Sequence, residues 1–466
     1  MEDRDLIIIG GGPAGYVAAI RTRQLGGRVT LVEEDTVGGT CLNRGCIPMR
    51  ALVRGVEFLE IPRKARDYGV NLGAAEVDFA KMMARKDTVV RTVTGGVKLL
   101  LEGNGAEVIS GKGRLASPSE VEVVSSDGST SRITARKILI ATGARAKRPA
   151  VPGGDGVLTT DQAMELTEIP RSLLIIGGGS IGLAFATIFA KLGAEVTVAE
   201  TSARILHDVD GEIVSILARD LRKQKVQILT EASITEIRDA EGGEKSVVVT
   251  AGGEEKTLIV QYVLAADERE ANLEGLGLDV AGISTGSGGI EVNRRMETNV
   301  AGVLAAGDVV GEPRLAHVAF SEGRVAAENV MDKASEMDYL VVPRCINTFP
   351  EIASVGLTEE EAASQGYQTR IGRFPLAAVG MATILAERSG AVKIISEAEY
   401  GQILGIHIIG PHAAELIGEA TLAMKMEATP KEISATIHTH PTISEALMEA
   451  ALDVTGEALH SLSQDE

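Results

Sequence analysis

Short apolar runs alternate with glycine turns and helical stretches from the start of the chain. Residues 5–9, Asp-Leu-Ile-Ile-Ile, form a continuous apolar run of the kind found in buried parallel strands. A glycine-rich segment follows, then a helical stretch at 16–25 and a second apolar run at 28–32 that ends at Glu33. The order of strand, glycine turn, helix, strand and acid predicts a βαβ unit of a parallel sheet.

The first glycine turn has the spacing of a dinucleotide-binding loop. It runs from Gly10 through Gly12 to Gly15 as Gly-Gly-Gly-Pro-Ala-Gly, and Glu33 lies 23 residues beyond Gly10. Glycines at this spacing let backbone N–H groups approach a pyrophosphate at a helix N-terminus, and the carboxylate can accept hydrogen bonds from ribose hydroxyls. The full context therefore predicts a nucleotide site rather than an ordinary turn.

The same unit occurs a second time. Its parts are an apolar run at 173–176, the glycines Gly177, Gly179 and Gly182, a helix to Leu192, and a run at 196–199 that ends at Glu200. Glu200 again lies 23 residues beyond the first glycine of its unit. A carboxylate there repels a 2′-phosphate, so this site favours NAD over NADP. Two units in one chain predict two bound dinucleotides, one of which can be a permanent flavin.

Two later segments fit the same scheme. Residues 137–144 predict a strand that returns to a glycine turn, and residues 303–308 predict a strand that ends at Asp308. Asp308 could hydrogen-bond polyol hydroxyls, although an Asp in a solvated turn would give the same sequence.

From residue 340 onward the pattern changes and predicts a separate α+β domain. The expected strands lie at 352–355, 391–395 and 403–409, and the expected helices at 413–426 and 443–452. Thr442 or Ser444 is in position to cap the last of these helices.

Two of the three cysteines, Cys41 and Cys46, follow the first nucleotide unit directly. On a regular α-helix, Cα atoms five residues apart are roughly 8–9 Å from each other, whereas a disulfide needs about 4.4–6.8 Å. A bridge would need a break in the helix, which Gly45 permits, and Pro48 suits a regular turn beyond it. Because so small a ring adds little stability, the pair is interpreted as redox-active. Two free structural thiols are the alternative.

Composition narrows the function classes. The 466 residues include 46 Lys plus Arg and 65 Asp plus Glu, a net charge of −19, which disfavours nucleic acid and anionic membranes. The acidic start Met-Glu-Asp-Arg-Asp is unlike a signal or transit peptide. Three cysteines do not make a secreted disulfide framework. We expect a cytoplasmic protein without a membrane span, in which a disulfide would be catalytic.

Together these segments resemble the flavin disulfide oxidoreductases, the class I pyridine nucleotide-disulfide oxidoreductases, and most closely the dihydrolipoamide dehydrogenases. The motifs that carry the resemblance are the Cys41/Cys46 segment, both glycine units, Ala141-Thr-Gly143, Gly307-Asp308 and His440-Pro-Thr-Ile-Ser-Glu445. The resemblance implies an α/β fold with two Rossmann-like dinucleotide-binding domains and a C-terminal α+β dimerisation domain. The implied bounds are 1–148 with 271–340 for FAD, 149–270 for NAD and 341–466 for dimerisation.

The resemblance also implies catalytic roles. Cys41 would be the interchange thiol that meets the substrate, and Cys46 the thiol stacked on the flavin. His440 would be the acid–base residue supplied across a homodimer interface, with Glu445 orienting its ring. The alternatives for His440 are a zinc ligand together with His438, which lacks further ligands nearby, or a capped core histidine. No metal is expected.

Cofactor contacts follow by the same carry-over. The residues implied at the FAD and NAD sites are Gly10, Gly12, Gly15, Glu33, Thr40, Arg50, Thr142, Gly143, Asp308, Ala316, Gly177, Gly179, Gly182 and Glu200. The implied reaction passes electrons from a protein-bound dihydrolipoyl dithiol to the cysteine pair, then to FAD and NAD⁺. The partner would be a lipoylated carrier, whether a lipoyl domain, a glycine-cleavage H protein or a stand-alone lipoate-binding protein. Alternatives are an NADH-driven disulfide reductase and a non-catalytic flavin-binding subunit.

Four positions depart from the pattern. The usual Lys and Glu of an ion pair beside the flavin are Arg50 and Ala184, which predicts a poorly compensated cation and a raised flavin potential. The usual Gly-Arg-x-Pro-Asn turn at NAD is the acidic segment 267–272, which predicts weak NAD binding. Phe349 stands where His is usual, and the sequence offers no reason for it.

Overall fold

The computed structural model describes residues 4–267 and 269–461. Its strands are β1 (Arg4–Ile9), β2 (Val29–Glu33), β3 (Glu107–Ser110), β4 (Lys112–Ser117), β5 (Glu120–Val124), β6 (Thr130–Ile140), β7 (Ala144–Ala146), β8 (Leu158–Thr159), β9 (Ser172–Ile176), β10 (Glu195–Ala199), β11 (Gln227–Leu229), β12 (Ala232–Asp239), β13 (Lys245–Ala251), β14 (Glu254–Val260), β15 (Tyr262–Ala265), β16 (Arg269–Ala271), β17 (Val303–Ala305), β18 (Arg344–Ile346), β19 (Ile352–Gly356), β20 (Thr369–Pro375), β21 (Ala391–Glu397) and β22 (Ile403–Ile409). Its helices are α1 (Pro13–Gln24), α2 (Gly39–Asn43), α3 (Cys46–Glu57), α4 (Ile61–Asp67), α5 (Phe79–Gly103), α6 (Thr160–Ala163), α7 (Ser180–Lys191), α8 (Gly211–Lys223), α9 (Leu278–Ala281), α10 (Ala316–Val330), α11 (Glu359–Ser364), α12 (Gly380–Ile384), α13 (Ala413–Lys425), α14 (Pro430–Ala435) and α15 (Glu445–Asp453).

The first sheet carries the N-terminal nucleotide unit. Its strand order is β3-β2-β1-β6-β5-β4, and β17 pairs with β6 in parallel. The apolar run of β1 is buried on both faces, since Leu6 and Ile8 join one apolar cluster while Ile7 and Ile9 join another. Strand β1 also pairs in parallel with both β2 and β6. The prediction of a buried parallel strand at 5–9 is therefore confirmed.

The second sheet repeats this arrangement. Its order is β11-β10-β9-β15-β8, with β9 parallel to β10 and β15. A three-stranded antiparallel sheet, β12-β13-β14, packs against it, and β7 and β16 form a short antiparallel ribbon. Helix α1 follows β1 and helix α7 follows β9, as the two glycine units predict.

The third sheet is antiparallel, in the order β18-β19-β22-β21-β20. Its apolar face packs with α13 and α15 in one core, which confirms the predicted α+β character of this part. The predicted cap of α15 is wrong, because the Ser444 side chain makes no capping bond. Instead the carboxylate of Glu445 accepts a hydrogen bond from the backbone N–H of Thr442 at 2.9 Å.

A buried charge cluster joins the second and third sheets. Lys393 on β21 donates to Asp210 at 2.8 Å and pairs with Glu359 at 2.6 Å, and its side chain is only 3% exposed. Asp210 in turn accepts the backbone N–H of Glu212 at the start of α8. Across the described parts of the chain, none of the helices combines the length and the apolar character that a bilayer crossing needs.

Candidate functional site

The two cysteines lie on either side of a break between short helices. Cys41 is in α2, Cys46 is the first residue of α3, and Gly45 between them has non-helical angles, with φ −120° and ψ −106°. The Gly45 N–H donates to the carbonyl of Thr40 at 2.7 Å, which turns the chain back on itself. The predicted departure from a regular helix is confirmed, and it brings the two side chains into contact.

Cys41 and Cys46 are free thiols in this structure and hydrogen-bond to each other. The hydrogen bond from Cys41 lowers the pKa of Cys46, and this effect outweighs the opposing effect of burial. The same contact, together with burial, raises the pKa of Cys41. The pair is therefore asymmetric, because Cys46 ionises first and is the better leaving group in thiol–disulfide exchange.

Asp308 and Arg269 lie close enough to Cys46 to act on its pKa. Burial raises the pKa of Asp308, while Arg269 acts in the opposite direction, with its guanidinium 3.9 Å from the carboxylate. Arg269 also helps to lower the pKa of Cys46. The sequence did not single out Arg269 as a site residue, because it belongs to the divergent turn at 267–272. Its charge is turned toward the cysteines and Asp308.

The two glycine loops share the same backbone conformation and the same close approach of strand and helix. Gly10 and Gly177 both have φ of +104°, a left-handed conformation that favours glycine. A Cβ on Gly15 would lie 1.9 Å from the carbonyl oxygen of Gly10, and one on Gly182 would lie 2.0 Å from that of Gly177. Such close approach of strand and helix admits only glycine at these positions, as the predicted loops require.

The two predicted acids occupy equivalent places. Glu33 accepts the N–H of Gly11 at 2.6 Å, and Glu200 accepts the N–H of Gly178 at 2.8 Å. Burial raises the pKa of Glu33. Burial also acts to raise the pKa of Glu200, but hydrogen bonds from the Ser202 and Gly178 amides outweigh it and lower that pKa. Glu200 is therefore held as a carboxylate at the end of β10.

The remaining predicted cofactor contacts surround the first loop. Thr40 lies in α2, and Ala316 is the first residue of α10. The hydroxyl of Thr142 donates to the carbonyl of Asn272 at 2.9 Å, and the N–H of Asn272 donates to the carbonyl of Gly143 at 2.9 Å. The structure thus brings Thr142 and Gly143 beside the turn that also contains Arg269.

The residues present fit FAD and NAD. Helices α1 and α7 begin at Gly12 and Gly179 without a side-chain cap and without an acid in the first turn, so their N–H groups are available to phosphate. A Cβ on Gly179 would meet nothing within 4 Å, which leaves open space above the second loop. Beside Asp308, the buried Nε of Arg269 has no hydrogen-bond partner among the described residues, as expected where a polar ligand belongs.

His440 and Glu445 form the expected dyad. Nδ1 of His440 hydrogen-bonds to Oε1 of Glu445 at 2.8 Å, and the ring is 78% exposed. Burial acts to raise the pKa of Glu445, but the Thr442 amide and His440 outweigh it and lower that pKa. Since a carboxylate accepts a proton-bearing Nδ1, the outward Nε2 of the neutral ring is free to accept a proton. Ile443 and Ala446, which flank Glu445, belong to the core of the third sheet, whereas Cys41 packs on that of the first.

His438 does not share this role. Its Nδ1 contacts the carbonyl of Thr436 at 2.9 Å, and its Nε2 contacts Glu419 at 2.9 Å. Among residues 4–267 and 269–461, no group of three or more His, Cys, Asp or Glu side chains is arranged to hold a metal ion. The described residues therefore do not form a zinc site at His438 and His440.

The expected lack of charge compensation at Arg50 is wrong. Its guanidinium forms an ion pair with Glu351 and donates to Oδ1 of Asn347 at 3.3 Å. Glu351 lies between β18 and β19, about three hundred residues away in the chain. The carboxylate that is missing at Ala184 is thus replaced from a different sheet.

The acidic turn at 267–272 is also less acidic than its sequence indicates. Glu270 pairs with Arg145 at 2.7 Å, and Arg269 is directed to Asp308. The backbone of Asp267 lies against Gly177, where a Cβ on that glycine would be 2.6 Å from its Cα. Glu268 falls outside the described residues. The weak NAD binding predicted from this turn stays a prediction.

Phe349 has a structural explanation. Nζ of Lys191 lies 4.3 Å from the centre of its ring, and Nζ of Lys64 lies 5.7 Å from it. Cations over an aromatic face are attracted by its quadrupole. The carbonyl of Phe349 also accepts a hydrogen bond from Gln224 at 3.0 Å. The aromatic ring therefore binds two lysines where a histidine would carry a competing charge.

Known proteins share this arrangement. The family model for the pyridine nucleotide-disulphide oxidoreductases matches residues 4–323, and the model for the dimerisation domain of the same family matches residues 342–451. Dihydrolipoyl dehydrogenase of Thermus scotoductus is 42% identical over 468 residues, covering 100% of both chains. Dihydrolipoyl dehydrogenase of Bacillus subtilis is 39% identical over 470 residues, covering 98% of this chain and 99% of that one.

Solved structures agree. LpdA from Mycobacterium tuberculosis superposes with a TM-score of 0.88 at 28% identity, covering 96% of this chain and 98% of that one. The HOCl-induced flavoprotein disulfide reductase RclA from Escherichia coli, solved as a Cu(II) complex, gives a TM-score of 0.87 at 28% identity, covering 97% and 99%. The predicted fold class, cofactors and enzyme class are confirmed. The chain belongs to the pyridine nucleotide-disulphide oxidoreductase family, in which it is an FAD-dependent, NAD-linked oxidoreductase like the dihydrolipoyl dehydrogenases.

Proposed function

We propose that this enzyme oxidises the dihydrolipoyl group of a lipoylated carrier protein, with Cys41 and Cys46 as the redox pair. The observation that supports the proposal is the break at Gly45, which brings Cys41 of α2 and Cys46 of α3 together directly after the first nucleotide unit. In the oxidised enzyme a substrate thiolate attacks the sulfur of Cys41, and the sulfur–sulfur bond breaks toward Cys46. The lower pKa of Cys46 makes it the favoured leaving thiolate.

The second half of the exchange needs a base. The remaining substrate thiol loses its proton to Nε2 of His440 and attacks the substrate sulfur bonded to Cys41, which leaves as a thiolate. The substrate departs as a cyclic disulfide, and the cysteine pair has gained two electrons. Glu445 holds Nδ1 of the ring throughout and stabilises the protonated form. Bound FAD and NAD⁺ supply the electron acceptors that return the pair to its disulfide.

Residues at the nucleotide loops have binding roles in this proposal. The N-termini of α1 and α7 receive the pyrophosphates of FAD and NAD, with Gly12 and Gly179 leaving the approach open. Asp308 and Arg269 contact the flavin cofactor beside Cys46. Glu200 accepts ribose hydroxyls and disfavours a 2′-phosphate.

A homodimer is part of the proposal, because the dyad and the cysteines of one chain belong to different cores. Exposed apolar side chains on the third-sheet half support a partner there, namely Leu422, Met426 and Ile437, which are 64%, 72% and 96% exposed. A second copy that covers this face would place its His440 at the cysteine pair. The carrier, a lipoyl domain, a glycine-cleavage H protein or a stand-alone lipoate-binding protein, would then reach Cys41 between the two chains, in the cytoplasm.

The test is anaerobic stopped-flow mixing of the purified flavoprotein with dihydrolipoamide and, separately, with NADH. We expect dihydrolipoamide to reduce the flavin within one turnover and NAD⁺ to reoxidise it. Reduction by NADH together with failure of dihydrolipoamide would instead favour a disulfide reductase, the activity named for RclA. No reduction by either donor would refute both.

A further inference from the structure

The helix that begins with Cys46 also carries a cation one turn further along. Arg50 follows Cys46 by four residues in α3, and side chains at this spacing lie on one face, roughly 5–6 Å apart at their Cβ atoms. The Arg50 side chain is 43% exposed, so its own helix does not fix it. What fixes the guanidinium is therefore the group that binds its far end.

That group is Glu351. Its side chain is 10% exposed, its Oε1 pairs with Arg50, and its Oε2 accepts the N–H of Ala414 at 3.3 Å in the first turn of α13. A carboxylate at a helix N-terminus is favoured by the orphan N–H groups and the helix dipole. Nearby, the N–H of Gly410 donates to the Glu351 carbonyl at 2.9 Å. Glu351 is thus anchored independently of Arg50.

Helix α7 supplies no competing carboxylate. Ala184 is 2% exposed and lies in the same apolar cluster as Met49, Leu52 and Val53 of α3. The contact between α3 and α7 is therefore apolar at this level. The polar partners of Arg50 come from the turn between β18 and β19, where Asn347 adds a hydrogen bond at 3.3 Å.

We propose that Glu351, with Asn347, is a positioning residue that sets the location and the net charge of the Arg50 cation one helical turn from Cys46. The proposal rests on the proposed function, since it assumes a flavin at Cys46. A carboxylate close to the guanidinium offsets its field at neighbouring groups. Removal of that carboxylate leaves a cation that stabilises added electrons, so the redox centre becomes easier to reduce.

The experiment measures the equilibrium between oxidised and reduced flavoprotein against the NADH/NAD⁺ couple. Glu351→Gln keeps the shape of the side chain and is expected to shift the equilibrium toward reduced enzyme at least tenfold, about 30 mV for a two-electron couple. Asn347→Asp adds a second carboxylate at a half-buried position and is expected to shift it the opposite way. The two variants are therefore expected to shift the redox equilibrium in opposite directions, and the measurement does not depend on dithiol turnover.

Measurements in an Arg50→Gln variant distinguish a positioning role of Glu351 from a general structural role. In Arg50→Gln, adding Glu351→Gln is expected to cause no further shift, because the residue it acts through is gone. Restoring a carboxylate with Ala184→Glu in Glu351→Gln is expected to recover part of the parental potential. Equal potentials in the parent, Glu351→Gln and Asn347→Asp would overturn the inference, as would an equal shift in the Arg50→Gln background.

Misfolding is controlled by the second variant. If Glu351→Gln loses its flavin, the opposite shift of Asn347→Asp still decides the question, since it leaves the anchored carboxylate in place. Failure of the proposed function looks different. In that case the parent itself would not be reduced by dihydrolipoamide, whereas failure of this inference leaves the parent reaction intact and the variant potentials unchanged.

Discussion

Glu445 offers a measurable test of how the dyad works. Its carboxylate accepts two hydrogen bonds, from Nδ1 of His440 at 2.8 Å and from the N–H of Thr442 at 2.9 Å. Glu445→Gln keeps the shape and removes the charge. A hydrogen bond to a charged group contributes about 1.5–3 kcal/mol and a neutral one about 0.5–1.5 kcal/mol. The difference of about 1 kcal/mol corresponds to roughly fivefold in rate.

The solvent exposure of the His440 ring determines how much of this energy difference the carboxylate contributes. Because His440 is 78% exposed, solvent screens the interaction and favours the lower end. We therefore expect Glu445→Gln to slow dihydrolipoamide oxidation about 5–10-fold, whereas His440→Gln should slow it roughly 10²–10⁴-fold by removing the base itself. Flavin content and the reaction with NADH should stay at parental levels in both.

Mixed dimers test where the base comes from. Chains carrying His440→Gln and chains carrying Cys46→Ser are each expected to be inactive as homodimers with dihydrolipoamide. If each histidine serves the cysteines of the other chain, a hybrid dimer contains one complete site and recovers about half of the parental rate. The assay is steady-state turnover of hybrids separated by two different affinity tags.

Two outcomes would refute the reasoning. A hybrid as inactive as its two parents, with flavin retained, would mean that the base is not supplied across the interface. Near-parental turnover of His440→Gln with free dihydrolipoamide would mean that another group takes the proton. A Glu445→Gln defect as large as that of His440→Gln would show that the carboxylate does more than orient and stabilise the ring.

Three other changes have defined outcomes. Two-electron reduction of the parent enzyme should give a long-wavelength absorbance band from the Cys46 thiolate and the flavin, and Cys46→Ser should abolish it. Cys41→Ser should show the band without reduction, because Cys46 is the more acidic thiol. The opposite pattern in the absorbance spectra of the two variants would mean that the roles of the cysteines are reversed. The kcat/KM for NADH should exceed that for NADPH, and Glu200→Ala should bring the two values closer together. An unchanged ratio of the two kcat/KM values in this variant would contradict the role of Glu200. Lys393→Met should lower the free energy of unfolding by roughly 3–5 kcal/mol, as for a broken buried ion pair. Burial acts to raise the pKa of Asp210, but Lys393 outweighs it and the pKa is lowered, so this stabilisation is present above about pH 4 and is lost as the pH falls through the folded-state pKa; urea unfolding at pH 7 and at acid pH tests both points.

The parts of the fold that the sequence predicted are those that local pattern determines. Strand β1, its glycine turn and Glu33 lie within one short segment, and the same holds for the unit that ends at Glu200. The break between Cys41 and Cys46 follows from the geometry of a helix and from Gly45. The contact between His440 and Glu445 joins residues only five apart. In each case the partners are near in sequence, so spacing alone constrains their geometry.

What the sequence could not provide is pairing across long separations. Arg50 of α3 pairs with Glu351, which precedes β19. Asp210, which precedes α8, pairs with Lys393 of β21. The wrong cap of α15 has a more local cause, because the Thr442 and Ser444 hydroxyls hydrogen-bond to each other at 2.7 Å and Ser444 accepts no N–H of the helix. Competition between two plausible partners is decided by side-chain geometry, which a residue pattern does not contain.

Two ion pairs near the cysteine segment join distant parts of the fold. Asp308 follows β17 of the first sheet, Arg269 begins β16 at the ribbon beside the second, and Glu351 precedes β19 of the third. Arg269 lies 3.9 Å from Asp308, and Glu351 pairs with Arg50 of α3. A small rotation of one part relative to another would separate these charges, and their Coulomb attraction falls with distance. The assembly of the three sheets therefore fixes the geometry of both ion pairs.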